Sequence, residues 1–254
     1  MAAEIQGLDP DQQWLHLEGR PSLQYGWLSL DVGAISRASA SGIPIKPLEP
    51  ALAFLSQQSP NDPEPFRVIG GGAAGVEVVL ALRRRWPQRP LQLQVRPDQL
   101  SDALKRVLNE ARVMVIQNES PWVGPSLLCT GSNGPAWLAN SGLPVNEQGR
   151  VQTDACLKVN GTSDIFASGD CGVISNAPRA ASGVWAVRAA TPLAINLEAA
   201  CQGKPLVPWR PQRRALQLIG THRNMAWARW GDWQLEPSPL IWRLKQRLDH
   251  AFMA

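Results

Sequence analysis

The segment Val68–Glu77 reads Val-Ile-Gly-Gly-Gly-Ala-Ala-Gly-Val-Glu, and it decides the fold that this 254-residue sequence predicts. Gly70, Gly72 and Gly75 have the spacing of a GxGxxG motif. In such a motif the first glycine permits a tight turn, the second lets the backbone approach a pyrophosphate, and the third lets a helix pack closely on the strand. The positive end of that helix favours phosphate charge. The motif predicts dinucleotide binding, and a glycine turn that binds nothing is the alternative.

The residues around the motif supply the context that it requires. A short apolar strand is expected over residues 66–69, and a helix over residues 73–86. Arg83, Arg84 and Arg85 are placed at the negative end of this helix, and Pro87 stops it. Strand, glycine turn and helix therefore form one βα unit.

Composition excludes several classes of protein. Hydrophobic residues make up 44% of the chain and charged residues 18%, which is typical of a globular protein. No run approaches the ~18 apolar residues of a membrane span, and no secretory signal is visible. The four cysteines and three histidines are scattered, so neither a metal site nor a catalytic Cys/His pair is predicted. We expect free thiols, a cytoplasmic location and no nucleic-acid partner.

Strand and helix patterns alternate along the rest of the chain, which predicts a doubly wound α/β sheet with a small C-terminal α+β segment. Residues 91–95 alternate between leucine and glutamine, so this strand is expected to have one wet face. Strands are expected at 14–17, 25–31, 113–116, 126–129, 164–167, 216–219 and 225–230, and helices at 50–58, 135–141, 181–201 and 241–252, with another helix beginning near Ser101.

Several segments together resemble a known superfamily, the FAD-dependent pyridine nucleotide-disulfide oxidoreductases, and within it the type II NADH dehydrogenase-like flavoproteins. The segments are the glycine motif with Val76-Glu77, Trp137–Val145, and Asp164–Asp170, which reads Asp-Ile-Phe-Ala-Ser-Gly-Asp. The tail is similar to the flavoprotein domain fused ahead of selenide, water dikinase in some bacteria. This similarity lies in residues 177–179, 183–188, 211–214 and 242–245.

The resemblance implies a Rossmann-like FAD/NAD(P)-binding fold in which FAD occupies one dinucleotide domain and NAD(P)H the other. Hydride would pass from the nicotinamide to the flavin, and electrons would then leave to an acceptor that the sequence does not name. The implied domains are a partial FAD-binding domain (1–60), an NAD(P)-binding Rossmann domain (61–132), the C-terminal part of the FAD-binding domain (133–204), and a β pair with an amphipathic helix (205–254).

Carried onto the NAD(P) side, the resemblance places Gly70, Gly72 and Gly75 on the pyrophosphate. Glu77 would lie near the cofactor or the flavin, and an ordinary helix-surface glutamate is an equal alternative. Gly131 would end a strand that crosses back beneath the flavin, or it is merely a turn glycine.

On the FAD side, Gly33 would end a second such strand, with the same alternative of a turn glycine. Asp170, after Gly169, would accept hydrogen bonds from the FAD ribitol, and its alternative is a helix cap. The helix N-terminus near Val184 would face the flavin pyrimidine ring and stabilise negative charge there.

The sequence departs from the family in three places. The N-terminal FAD fingerprint is absent, so the chain is expected to be truncated, either as a fragment or as a protein that has lost tight FAD binding. Without this fingerprint the parallel sheet should expose an unpaired edge or an uncovered apolar face. Val95 and Arg96 stand where an acidic ribose ligand is expected, which leaves NADPH open beside NADH. A redox cysteine pair is also missing.

Three functions therefore follow from the sequence. The first is an FAD- and NAD(P)H-dependent oxidoreductase. The second is a non-catalytic dinucleotide-binding or docking module associated with selenium metabolism. The third is weak contact with a membrane surface through Trp242 and Phe252 and the basic residues Arg243, Lys245 and Arg247, for which packing of this helix on the β pair is the alternative. The oligomeric state is left open.

Overall fold

The computed structural model describes residues 3–37, 42–117, 122–231 and 233–253. The chain divides into two compact units. Unit 1 consists of residues 1–35 and 132–213, and unit 2 of residues 36–131 and 214–254. Residues 36–60, which the sequence assigned to the FAD-binding domain, therefore belong to the same unit as the glycine motif. The C-terminal segment, which the sequence treated as separate, belongs to that unit as well.

The strands and helices follow in chain order. The strands are β1 (Ile5–Asp9), β2 (Trp14–Leu17), β3 (Leu23–Gln24), β4 (Leu28–Leu30), β5 (Ile35–Ser36), β6 (Ile43–Pro44), β7 (Phe66–Ile69), β8 (Leu91–Gln94), β9 (Val113–Ile116), β10 (Ser126–Leu128), β11 (Ser132–Asn133), β12 (Val151–Thr153), β13 (Ile165–Ala167), β14 (Gly172–Ile174), β15 (Leu216–Gly220), β16 (Ala226–Trp230) and β17 (Trp233–Ser238). The helices are α1 (Leu48–Ser56), α2 (Ala73–Arg85), α3 (Asp102–Glu110), α4 (Ala136–Asn140), α5 (Gly183–Cys201) and α6 (Pro239–Met253).

Unit 2 is built on a five-stranded parallel sheet with the order β6-β10-β7-β8-β9. Helix α2 joins β7 to β8 and α3 joins β8 to β9, as a parallel sheet requires. The buried core between sheet and helices includes Phe66, Val68, Leu91 and Leu93. This arrangement confirms the predicted Rossmann-like α/β fold.

Strand β8 has the one wet face that its alternating sequence predicts. Leu91 and Leu93 are buried, whereas Gln92 and Gln94 are half-buried on the opposite face. Their side-chain oxygens accept hydrogen bonds from the Arg67 guanidinium at 2.9 and 3.1 Å, and that guanidinium lies 4.1 Å from the ring centre of Trp122. A polar layer therefore replaces the apolar face of an ordinary central strand.

Unit 1 contains one antiparallel sheet, β1-β2-β3, and two parallel pairs, β4–β13 and β12–β14. Leu30, Leu138 and Ile165 lie in its core. Among the described residues, no third strand joins the β4–β13 sheet, and α5 leaves Val187 and Ile195 exposed. The edge of β4 that does not face β13 pairs with no described strand, and an unpaired edge is one of the two alternatives that the sequence predicts.

The C-terminal segment differs in part from its prediction. The expected β pair is a three-stranded antiparallel sheet, β15-β16-β17, and strand β17 was missed. Ile219 and Trp227 of this sheet join the core of unit 2. Strand β1 lies within the β structure that the sequence predicts for residues 1–35. Its own bounds were not predicted, because the sequence Ile-Gln-Gly-Leu-Asp contains a glycine and only two large apolar residues. None of the described helices is both long and apolar enough to cross a membrane.

Candidate dinucleotide-binding site

Two glycines of the motif are required by close backbone contacts in unit 2. Gly70 follows β7 with φ of +126°, and a β-carbon there would lie 2.4 Å from the carbonyl oxygen of Cys129. A β-carbon on Gly75 would lie 1.8 Å from the carbonyl oxygen of Gly70. These contacts let α2 begin immediately against the end of β7.

Gly72 differs from these two glycines because its open side faces empty space. It is the N-cap residue of α2, with φ of −73°, and no heavy atom lies within 4 Å of the position that a β-carbon would occupy. Gly72, Ala73 and Ala74 are all exposed. The first-turn N–H groups of a helix have no acceptor within the helix, so they are available here to the oxygens of an anion. The residues present therefore fit a bound pyrophosphate.

The loop after β8 lies beside this glycine turn. A β-carbon on Gly71 would contact the side chains of Val95 and Gln99 at 2.7 and 2.8 Å. The side-chain oxygen of Gln99 accepts a hydrogen bond from the backbone N–H of Arg96 at 3.1 Å, while the Arg96 side chain is exposed. Asp98 is exposed two residues further on. Because one basic and one acidic side chain are exposed in this loop, its charge favours neither NADH nor NADPH.

Gly131 and Glu77 also belong to unit 2. Gly131 comes soon after β10, the strand beside β7, and its open side meets no atom within 4 Å. The Oε1 atom of Glu77 accepts a hydrogen bond from the Gly220 N–H at 2.9 Å and lies 3.4 Å from the Lys245 ammonium. Glu77 therefore links α2 to the C-terminal sheet and to α6. A contact between Glu77 and a cofactor remains a prediction.

In unit 1, Gly33, Gly169 and Asp170 lie just beyond the carboxyl ends of β4 and β13. The two strands are parallel, with Leu30 opposite Ala167, so their carboxyl ends meet there. Gly33 and Gly169 have φ of +67° and +65°. A β-carbon on Gly169 would lie 2.0 Å from a carboxylate oxygen of Asp31, so the Asp31 side chain would have to move to admit one. Ligands of open α/β sheets bind at such carboxyl ends.

Arg150 shapes the turn that carries Asp170, and sequence reasoning missed it. Its buried guanidinium donates hydrogen bonds to the carbonyl oxygens of Asp170 at 2.9 Å, Arg179 at 2.6 Å, and Gly172. Burial lowers the pKa of Arg150, and the Asp170 carboxylate opposes that shift. A single arginine in a turn gives no sequence signal, because its carbonyl partners lie 20 or more residues away.

The N-terminus of α5 lies near the same turn. Val184 is the second residue of α5, and the N-cap Ser182 makes no side-chain capping bond. Ser182 and Gly169 line an open cleft. The Trp185 ring is flanked by the guanidinium groups of Arg179 and Arg188, 5.1 and 5.6 Å from a ring centre. This end of α5 is therefore positive.

Of the four cysteines, Cys129 and Cys171 are buried, so their thiols are poorly reactive. All four are free, and burial raises the pKa of the Cys129 and Cys171 thiols to about 12 and about 11. The Cys171 thiol donates a hydrogen bond to the Ser168 carbonyl at 3.1 Å. Among the described residues, no group of His, Cys, Asp and Glu could hold a metal ion.

Comparison with models of protein families and with curated proteins gives no match. Comparison with solved structures gives several matches. An FAD-dependent pyridine nucleotide-disulphide oxidoreductase from Desulfovibrio vulgaris is 19% identical with a TM-score of 0.70, over 90% of this chain and 67% of that one. The water-forming NADH oxidase from Lactobacillus brevis, bound to NADH, is 17% identical with a TM-score of 0.70, over 90% and 58%.

A NAD-dependent persulfide reductase from A. fulgidus is 16% identical with a TM-score of 0.69, over 90% of this chain and 49% of that one. This chain has the fold of these oxidoreductases. It spans about half to two thirds of the length of the solved structures that it matches.

Proposed function

We propose that this chain is an FAD-dependent NAD(P)H oxidoreductase of the NADH dehydrogenase-like type. The observation that carries the proposal is the exposed start of α2 at Gly72, where free space lies before a helix N-terminus at the carboxyl end of a parallel sheet. Likeness in fold to FAD-dependent and NADH-binding enzymes supports it. The free thiols support a reducing, cytoplasmic location.

In this proposal each unit holds one cofactor. Gly70, Gly72 and Gly75 bind the pyrophosphate of NAD(P)H through backbone amides. In unit 1, Gly33 and Gly169 keep the backbone close to FAD, Asp170 accepts a hydrogen bond from a ribitol hydroxyl, and the positive end of α5 favours negative charge on the flavin. When bound, the cofactors supply hydride transfer from nicotinamide to flavin. The electron acceptor is a separate molecule.

A second candidate is a dinucleotide-binding docking module without catalysis. The open β4–β13 pair and the exposed apolar residues of α5 favour it, because such surfaces bind another polypeptide. The tail segments that resemble the selenide, water dikinase fusion protein also contact one another: Arg179 donates hydrogen bonds to the carbonyl oxygens of Pro211 and Gln212.

Two measurements separate the candidates. Purified protein is tested for flavin absorbance, with and without added FAD, and titrated with NADH and NADPH by calorimetry. The oxidoreductase predicts bound flavin that either nucleotide bleaches, whereas nucleotide binding without flavin supports the docking module. Gly72→Val is expected to weaken nucleotide binding at least about tenfold, or 1.4 kcal/mol. Gly26→Val, at an exposed glycine with equally open space, is the matched control and should bind as the parent does.

A further inference from the structure

The side chain of Arg150 joins two neighbouring backbone segments of unit 1. One is the turn that follows β13, where its guanidinium donates hydrogen bonds to the carbonyl oxygens of Asp170, at 2.9 Å, and Gly172. The other is the irregular stretch before α5, where it donates to the carbonyl oxygen of Arg179 at 2.6 Å. Each of the three guanidinium nitrogens therefore has its own backbone acceptor.

The backbone of Arg150 is itself held in place. Its N–H donates to the side-chain oxygen of Asn146 at 3.0 Å, and its carbonyl oxygen accepts from the Asn146 N–H at 2.9 Å. The next residue, Val151, lies opposite Gly172 in the parallel β12–β14 pair. Arg150 is only 9% exposed, so its side chain is fixed at both ends. The guanidinium thus acts as a rigid spacer between the turn and the start of α5.

Both of these segments border the open cleft of unit 1. Gly169 and Ser182 line the cleft, and so does Arg150 itself. In the proposed function the same segments carry two groups that contact the flavin, which are the Asp170 carboxylate and the N-terminus of α5. The polar groups of a binding site have to be held within about 0.5 Å of their productive positions. The separation of these two groups depends on Arg150.

Arg150 also brings a positive charge to the wall of the cleft. Its three acceptors are backbone oxygens, which carry no formal charge. An arginine stays protonated in proteins, so the charge of this guanidinium is a fixed one. A fixed positive charge favours the negative charge that a flavin gains on reduction.

We propose that Arg150 is a positioning residue of the FAD site. It sets the separation between Asp170 and the N-terminus of α5, and its charge favours the reduced flavin. The inference rests on the proposed function, since that function assigns the cleft to FAD. Lysine cannot replace Arg150, because one ammonium group on a flexible chain does not reproduce the planar fork of a guanidinium.

The first test compares the FAD affinity of the full chain with that of Arg150→Lys and Arg150→Gln by calorimetry. Both variants should bind FAD at least about tenfold more weakly than the parent. Their affinity for NADH or NADPH should equal that of the parent, because the glycine turn lies in unit 2.

Arg83→Lys is the matched control for this comparison. Arg83 is a buried arginine of unit 2 whose hydrogen bonds also end on backbone carbonyls. This variant should lower the free energy of unfolding and leave the FAD affinity unchanged.

Two further measurements examine the charge and the spacing separately. In protein saturated with FAD, the reduction potential of the flavin should be lower in Arg150→Gln than in Arg150→Lys, because only lysine keeps the positive charge. In protein without cofactor, amide hydrogen exchange over residues 168–186 should be faster in both variants than in the parent, and unchanged over β7 and α2.

Four results would overturn the role of Arg150 alone. These are an FAD affinity of Arg150→Lys equal to that of the parent, equal potentials in the two variants, unchanged hydrogen exchange over residues 168–186, and a parallel loss of NAD(P)H affinity. A parent protein that binds NAD(P)H but no FAD would instead overturn the proposed function, and the flavin role of Arg150 with it.

Discussion

Gly75 lies so close to Gly70 that a β-carbon on Gly75 would sit 1.8 Å from the Gly70 carbonyl oxygen. The obstacle is backbone, which cannot rotate away as a side chain can. Gly75→Ala must therefore push the start of α2 off the end of β7. We expect a loss of about 1–3 kcal/mol in the free energy of unfolding, measured by urea denaturation. An unchanged midpoint would show that α2 does not pack against this carbonyl.

Glu77 ties α2 to the C-terminal sheet through the Gly220 N–H and the Lys245 ammonium. Glu77→Gln keeps an acceptor oxygen but removes the charge, and both partners are partly exposed. We expect a loss of about 1 kcal/mol in stability and no change in nucleotide affinity. Glu18→Gln, at an exposed position, is the control. A larger effect on cofactor affinity than on stability would instead place Glu77 at the cofactor, as the family resemblance implies.

Arg83 is buried at the end of α2 and donates hydrogen bonds to five backbone carbonyls, with distances of 2.7–3.0 Å. Arg83→Ala leaves these carbonyls without their donor. The expected loss in stability is about 3 kcal/mol or more, seen as a lower urea midpoint. Arg85→Ala, two residues along and exposed, should change stability by less than about 0.5 kcal/mol. Equal effects of the two variants would contradict the assignment.

The buried thiols predict sensitivity to alkaline pH. Burial raises the pKa of Cys171 from 9.0 to about 11, and that of Cys129 to about 12. As pH rises above about 9, the unfolded chain loses these protons first, so stability falls and keeps falling toward the folded pKa values. Urea midpoints measured between about pH 8 and 10.5 check this sign. Cys171→Ala should flatten the decline and Cys201→Ala, at an exposed thiol, should not.

Much of unit 2 could be predicted because its signals are local. The motif predicts the bounds of β7 as they are found, and those of α2 to within one residue at its C-terminal end. Ser101, where a helix was expected to begin, caps α3 and accepts a hydrogen bond from the Leu104 N–H. The polar face of β8 follows directly from its Leu-Gln repeat.

The missed features depend on contacts between distant parts of the chain. The burial of Arg83 is an example, since two of the carbonyls that it binds, those of Ala111 and Arg112, lie 28 and 29 residues away. The grouping of the C-terminal sheet with unit 2 depends on contacts such as that between Gly220 and Glu77, 143 residues apart. Strand β17 was missed because Pro237 lies within it, and a proline argues against a strand except at a sheet edge, where β17 lies.

The measurement that tests the central claim most directly is the effect of Gly72→Asp on stability and on nucleotide affinity in the same preparation. Aspartate is a favoured N-cap residue, the space beside Gly72 is empty, and its charge suits the helix dipole, so the urea midpoint should hold or rise by an amount equivalent to about 0.3–1 kcal/mol. The same carboxylate would repel a diphosphate, and calorimetry should show an affinity for NADH or NADPH at least about tenfold weaker. An unchanged affinity in the variant, or no measurable affinity in the parent, would contradict the account.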